Sequence, residues 1–414
     1  MVGGGAAGAF ATAALLAARP RLRSVAWVDA AGFDAGTLAQ LSGVPANTHG
    51  ARVAEWFSGG ELERNKAFTG DIRARTARRL GRGEFPRLGV LADAVRALAE
   101  RHVLQDARVR PIAARAVTLE RFGCGGSEDN KREGEGETWR LSFDGGASPP
   151  LLVRGGVVLA TGAAPRAAPP ELAAALARAE APPVLIPARV AMDPEAMAAQ
   201  LANLGSQRVG VVGRSHSGVL AARNAVLAGA VATLFHDGKP MRLAVDRGSG
   251  INMLWDFTGL KGEAAAFASE YLLQGGAMCE CGTTTQLPYE TLLAPGGVDA
   301  AQLDALVVCV GYERSPPVDY VDGARLSPAA VHGLDVDAAS CRVVAVTREA
   351  ADAWGVELGT VVGGLYGAGI AFAPLYSFDF GRERGVGIGV FKDCGEIIAA
   401  DIARRLAVQA PAAR

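Results

Sequence analysis

The sequence predicts an α/β fold in which two parallel-sheet units share one chain, the second inserted in the first. Three observations predict it. Gly3, Gly5 and Gly8 spell G-x-G-x-x-G and lead straight into an alanine-rich helical run. Gly213, Ser215 and Gly218 give G-x-S-x-x-G, with a strand before and a helix after. Buried-type strands end in small turns at Ala160-Thr161-Gly162 and again at Cys309-Val310-Gly311.

Composition sets the bounds. At 414 residues the chain is long for one domain, and the usual sizes suggest about two to three. Half of it is hydrophobic, enough to bury substantial cores, and 42 basic against 43 acidic residues argue against a nucleic-acid binder. Six cysteines make no disulfide scaffold at this length, and five scattered histidines give no metal-ligand spacing. No apolar run reaches the roughly 18–20 residues of a membrane-spanning helix. These features set the expectation of a soluble, intracellular protein, in the cytoplasm.

The first element decides between a leader and a fold. Residues 1–22 are alanine-rich, but no basic residue precedes the apolar stretch, and the glycines fall at meaningful spacing. Gly3 allows a tight turn, Gly5 lets a pyrophosphate approach the backbone, and Gly8 lets helix pack on strand. The phosphates then sit at the positive end of the helix 9–18. The strand 24–29 ends in Asp29, 26 residues after Gly3 and close to the spacing of about 20 for a ribose-binding carboxylate. Only Met1 and Val2 precede the turn, where a whole strand is expected. A clipped start is the preferred reading, and it leaves an organelle open as the location.

Residues 34–115 read as mostly helical, with an amphipathic helix over 88–101. A strand follows over 109–122, then a charged, glycine-rich loop over 123–137 and a return strand over 139–143. The strand 157–162 precedes a proline-rich crossover. The second turn lies between the strands 208–212 and 230–235, as a βαβ unit requires. Lys239 and Arg242 lie just past that second strand, which favours the 2′-phosphate of NADP, while Asp237 keeps NAD open. A strand over 305–312, a strand-to-turn segment over 363–369 and a helix over 397–408 complete the chain.

In this order the landmarks resemble the two-dinucleotide-binding-domain flavoproteins of the FAD/NAD(P)-binding pyridine-nucleotide oxidoreductase-like superfamily. The stretches VAWVDAAGFDAG, VPANTHG, DFTGLKGEAAAFA and GLYGAGIAF resemble a less characterised eukaryotic branch of it. The resemblance implies an FAD-binding domain over 1–170 and 305–414 with an NAD(P)-binding domain over 180–304. It assigns FAD to Gly3, Gly5, Gly8, Asp29, Thr161, Gly162, Gly367 and Gly369, and NAD(P) to Gly213, Ser215, His216, Gly218 and Arg242. Where the superfamily follows the last glycine with aspartate, this chain has Ile370. That leaves backbone contacts from Gly367 to Gly369 for the ribityl chain.

The implied activity is that of an FAD-dependent NAD(P)H oxidoreductase passing hydride to flavin N5 and on to a small-molecule acceptor. Two alternatives stay open. One is a flavin monooxygenase, because Asp304–Tyr312 resembles the D-x3-[LF]-A-T-G-Y segment of N-hydroxylating enzymes without its threonine. The other is a non-catalytic nucleotide-binding protein. A homo-oligomer is also left open. No catalytic residue stands out. Cys279 and Cys281 form a C-x-C pair, a strained spacing for a disulfide, and read as ordinary thiols. Cys309 reads as a buried thiol and Cys124 as a loop residue. His216 reads as nucleotide-proximal and Lys261 as a solvated lysine. Asn47 and Thr48 read as loop polar groups, and Tyr312 as a ring cover or core residue.

Overall fold

The structure, a computed structural model, describes residues 1–18, 22–57, 85–122, 138–146, 148–205, 207–244, 259–273, 284–378 and 381–409. The C-x-C pair, Cys124 and the 123–137 loop lie outside these residues.

The first unit opens with helix α1 (Ala6–Ala17). Every residue of it except Ala17 is buried, so it is apolar all round rather than on one face. The helix starts three residues earlier than the alanine run suggests, because Gly5 is its N-cap. Strand β1 (Val25–Val28) follows, then the short helices α2 (Thr37–Gln40) and α3 (Gly50–Trp56) and the amphipathic α4 (Leu88–Leu98). The stretch expected as one strand over 109–122 is two. Strand β2 (Val109–Ile112) pairs parallel with β1, while β3 (Ala116–Phe122) pairs antiparallel with β4 (Thr138–Phe143). Between them the chain passes from one sheet to another. Strand β5 (Leu151–Val153) extends the antiparallel sheet, and β6 (Val157–Leu159) returns to the parallel one.

The amino-terminal residues take the central place in that parallel sheet. Val2 bridges Val28 on one side and Leu159 on the other. Hydrogen bonds of 2.7–2.9 Å run from Val2 N to Val158 O, Gly3 N to Val28 O, Val28 N to Met1 O and Ala160 N to Val2 O. The rung on which the glycine turn depends is therefore formed by Met1–Gly3.

A two-stranded ribbon leads out of this unit. Strand β7 (Ala163–Pro165) is its outgoing leg, followed by helix α5 (Pro170–Arg178). The second unit is a five-stranded, fully parallel sheet in the order β11-β10-β9-β12-β8. Its members are β8 (Val184–Ile186), β9 (Arg208–Val212), β10 (Val231–His236), β11 (Thr284–Pro288) and β12 (Ala305–Val308). One face is covered by α6 (Ala188–Met192), α7 (Pro194–Leu204), α8 (His216–Leu227) and α9 (Gly262–Phe267). Leu172 of α5 packs on the other.

The return leg is β13 (Tyr312–Arg314), which pairs antiparallel with β7. The chain then adds three strands to that sheet, each antiparallel to the next: β14 (Leu334–Val336), β15 (Arg342–Ala345) and β16 (Val361–Gly367). Strand β16 lies parallel to β6, with Leu365 opposite Val157 and Gly367 opposite Leu159. So the sheet of residues 184–308 is interposed between two parts of another sheet.

The last helix, α10, spans Ile388–Gln409, nine residues earlier in its start than expected. Gly395 disguises the continuity. A Cβ there would sit 2.9 Å from Ala11 Cα, so glycine is what lets α10 lie against α1. The Lys392–Glu396 pair at i,i+4 (2.9 Å) spans the same turn. No helix among the described residues is long and apolar enough to cross a membrane.

Candidate functional site: two glycine turns and the cleft between them

The three glycines of the first turn are not equivalent. Gly3 has φ +119°, and a Cβ on it would fall 2.2 Å from the Ala160 carbonyl oxygen. A Cβ on Gly8 would fall 2.0 Å from the Gly3 carbonyl oxygen. Both are required by the fold. Gly5 is different: its φ of −75° suits any residue, and the nearest atom to an added Cβ is Ala35 O at 3.8 Å. Its bareness leaves the helix N-terminus open to whatever approaches. Asp29 accepts hydrogen bonds from the backbone N–H groups of Gly4 (Oδ2) and Ala31 (Oδ1), so it braces the glycine turn from the end of β1.

The second turn repeats this construction. Gly213 has φ +107° and would place a Cβ 2.3 Å from the Cys309 carbonyl oxygen. Gly218 would place one 2.0 Å from the Gly213 carbonyl oxygen. Gly213 N donates to Phe235 O (2.9 Å) as Gly3 N does to Val28 O. Ser215 stands where Gly5 stands, as an extended N-cap whose hydroxyl makes no capping bond to the helix. Gly162 (φ +74°) and Gly311 (φ +92°) follow the two strands that support the turns, and neither has an atom within 4 Å of an added Cβ.

Both turns open on one cleft of about 300 Å³. The N-termini of three helices reach its wall: α1 through Gly5–Ala7, α8 through His216 and Ser217, and α10 through Gly387 and Ile388. Among the described residues that line it, none is aspartate, glutamate, lysine, arginine or cysteine. The electrostatic bias of the cleft therefore comes from helix ends, which favour negative charge. Burial, and secondarily the charge of Lys261, push the His216 imidazole down to about 4, so it is neutral at pH 7. Its Nδ1 is buried without a hydrogen-bond partner among the described residues, as are Thr161 Oγ1 and Trp56 Nε1.

The structure brings some of the sequence-derived residues to this cleft and leaves others behind it. Gly5, Gly162, His216 and Gly369 line it, joined by Asn47, Thr48, Tyr312 and Ile370. Gly367 does not; a Cβ there would strike the Phe372 ring at 2.5 Å, so its place is in the packing. Lys261 is half-buried near His216, a less exposed position than expected for a solvated lysine.

At the far end of the second turn the sequence reading overlooked Arg214. Its guanidinium donates to the Lys239 carbonyl and to Gln286 Oε1, which sets it over the end of β10. Lys239 is itself paired with Asp237 (2.5 Å), and this pairing holds the Asp237 carboxyl below its ordinary range. Arg242 is exposed on the segment just beyond, its carbonyl held by Leu260 N at 2.8 Å. The signal for Arg214 was its place inside the glycine turn, where the x positions carry no pattern.

The described thiols are buried. Burial pushes Cys309 up to about 12, and an interaction with Cys394 together with burial pushes Cys341 up. Cys309 and Cys341 therefore stay protonated and are poor nucleophiles, whereas the hydrogen bond with Cys341 lowers Cys394. No group of side chains fit to hold a metal ion occurs among the described residues.

No family model matches the chain, and no curated protein matches it. Solved structures do. LpdA from Mycobacterium tuberculosis matches at 16% identity and a TM-score of 0.49, over 97% of this chain and 72% of that one. The bacillithiol disulfide reductase Bdr from Bacillus cereus matches at 15% and 0.46, over 97% of each. The reduced Bacillus anthracis CoADR-RHD matches at 13% and 0.41, over 95% of this chain. The chain spans 55% of the length of that protein and 58% of the A. fulgidus NAD-dependent persulfide reductase. By its own strand order and its two matching turns, the chain is an α/β protein with two Rossmann-like units, each carrying a glycine turn at the head of a buried helix.

Proposed function

We propose that the chain is an FAD-dependent NAD(P)H oxidoreductase of the FAD/NAD(P)-binding pyridine-nucleotide oxidoreductase-like superfamily. In this reading 1–170 and 305–414 hold FAD, and 180–304 hold the nicotinamide nucleotide. The observation that carries it is the pair of glycine turns of one geometry, both opening on a single cleft whose described lining carries no charged side chain. The residues fit the group. Gly5 leaves a bare cradle at a helix N-terminus, Gly162 and Gly311 leave open backbone, and Thr161, His216 and Trp56 present unmatched polar atoms. The diphosphate of FAD would lie at Gly5–Ala7, with Asp29 bracing the turn. The N-terminus of α10, at Gly387 and Ile388, would face a ring system whose negative charge rises on reduction.

Bound FAD supplies the two-electron chemistry between nicotinamide and acceptor. The chain's share is orientation and exclusion of water. Ser215 and the N-terminus of α8 would hold the phosphates of the second nucleotide, and neutral His216 would donate or accept one hydrogen bond beside them. Arg214, with Arg242 beyond it, would meet a 2′-phosphate, which favours NADPH over NADH.

The test is direct. The purified protein should show flavin absorption bands or take up added FAD, and anaerobic NADPH should bleach them faster than NADH. Arg214→Ala should lower kcat/KM for NADPH by about tenfold and leave NADH nearly unchanged. A protein that takes up no FAD refutes the reading. Equal use of both reductants, untouched by the substitution, refutes the phosphate assignment alone.

A further inference from the structure

A second cavity, of about 440 Å³, lies on the other side of Tyr312 from the first. Thr37, Leu41 and Tyr312 line both, so the two are separated by one layer of side chains. No residue of either glycine turn lines the second cavity. It sits beside the edge strand β8, and its volume falls in the range of small-molecule sites.

Its lining divides by chemistry. Leu185, Ile186, Leu306 and Val308 give it an apolar wall from β8 and β12. Among its described lining residues, two guanidinium groups, Arg166 and Arg189, are the charged members, and none is a carboxylate. Neither guanidinium has a hydrogen bond or ion pair among the described residues. The backbone places both firmly. Arg166 N donates to Gly311 O (3.0 Å) at the foot of the β7–β13 ribbon, and Arg189 stands in α6 directly after the loop from β8. Two unmatched cations over an apolar wall select a ligand with an apolar body and an anionic head.

We propose that this second cavity binds a small organic carboxylate: the apolar body rests on Leu185, Ile186, Leu306 and Val308, and the carboxylate lies between Arg166 and Arg189. The proposal stands on the cavity alone and does not depend on the flavin reading.

The probe is 1-naphthoate, titrated into the full chain and followed by calorimetry. Wild type should bind it, and neutral naphthalene should bind at least tenfold more weakly. Arg166→Ala with Arg189→Ala should weaken naphthoate by about tenfold, the paired Arg→Lys variant should retain most of the affinity, and Arg178→Ala, an exposed charge elsewhere, should change nothing. Equal affinity for naphthalene, or no loss in the double alanine variant, overturns the site. Gly5→Val, which blocks the first turn, should leave naphthoate affinity intact; wild-type protein that binds naphthoate yet takes up no FAD sinks the flavin reading and not this site.

Discussion

A methyl group at Gly3 or Gly8 would lie within 2.2 Å of a carbonyl oxygen, whereas one at Gly5 would have 3.8 Å of clearance. The three positions should therefore fail differently. Gly8→Ala should cost about 1–3 kcal/mol of stability, seen as a lowered Tm. Gly5→Val should keep its Tm and lose FAD occupancy, and a valine variant that retains flavin at wild-type level would remove Gly5 from the site. His216 gives a second outcome. Its folded-state value of about 4 lies below the ordinary 6.5, so the unfolded chain binds the extra proton. Its contribution is complete above pH 6.5 and fades as pH falls toward 4, by on the order of 2–3 kcal/mol. Unfolding of wild type and His216→Gln, compared from pH 8 to 4, should converge in acid; a constant gap would contradict the burial of a neutral imidazole. At this scale Gly3, Gly8, Gly213 and Gly218 were legible because a Cβ at each would strike a backbone carbonyl oxygen, which restricts them to one residue type. Arg214 was not, since a side chain's neighbours across the cleft leave no spacing in the sequence.

The alanine-rich α1 looks featureless as a sequence and is specific as an element. It is buried all round, and it meets α10 where Gly395 lies 2.9 Å, measured from an ideal Cβ, from Ala11 Cα. Gly395→Val should push the two helices apart and cost about 1–3 kcal/mol or more, with a matching fall in Tm and weaker flavin retention, because both helix N-termini line the cleft. Unchanged melting would show that the contact is looser than drawn. The same glycine explains why the last helix reads nine residues too short: its low helical propensity speaks locally, and its reason is tertiary. The strand over 109–122 misled in the opposite way. Continuous β-type residues cannot reveal that Ala113–Arg115 carries the chain from a parallel sheet to an antiparallel one.

For the whole molecule, the order of landmarks led to the expectation of a second unit inserted in the first, because each glycine turn must follow a strand and precede a helix. In the chain, the parallel sheet of residues 184–308 lies in sequence between Val157–Leu159 and Val361–Gly367, which pair with each other. What the order could not show was that both turns face one cleft, which depends on how the β7–β13 ribbon folds one unit against the other. That no charged side chain lines the cleft among the described residues has a consequence for solution behaviour. Attraction built from peptide dipoles at buried helix ends involves few mobile counter-ions, and a Debye length of about 8 Å at physiological ionic strength screens exposed charges far more than buried ones. FAD affinity should therefore change little, about threefold or less, between 50 mM and 500 mM sodium chloride. Naphthoate, held by two exposed guanidinium groups, should weaken severalfold over the same range. Equilibrium dialysis at both concentrations separates the two behaviours, and a steep salt dependence for FAD would mean that charged side chains, not helix ends, hold it. Two adjoining cavities would then answer to ionic strength in different ways: retention of the resident nucleotide buffered against it, and capture of the anion tuned by it.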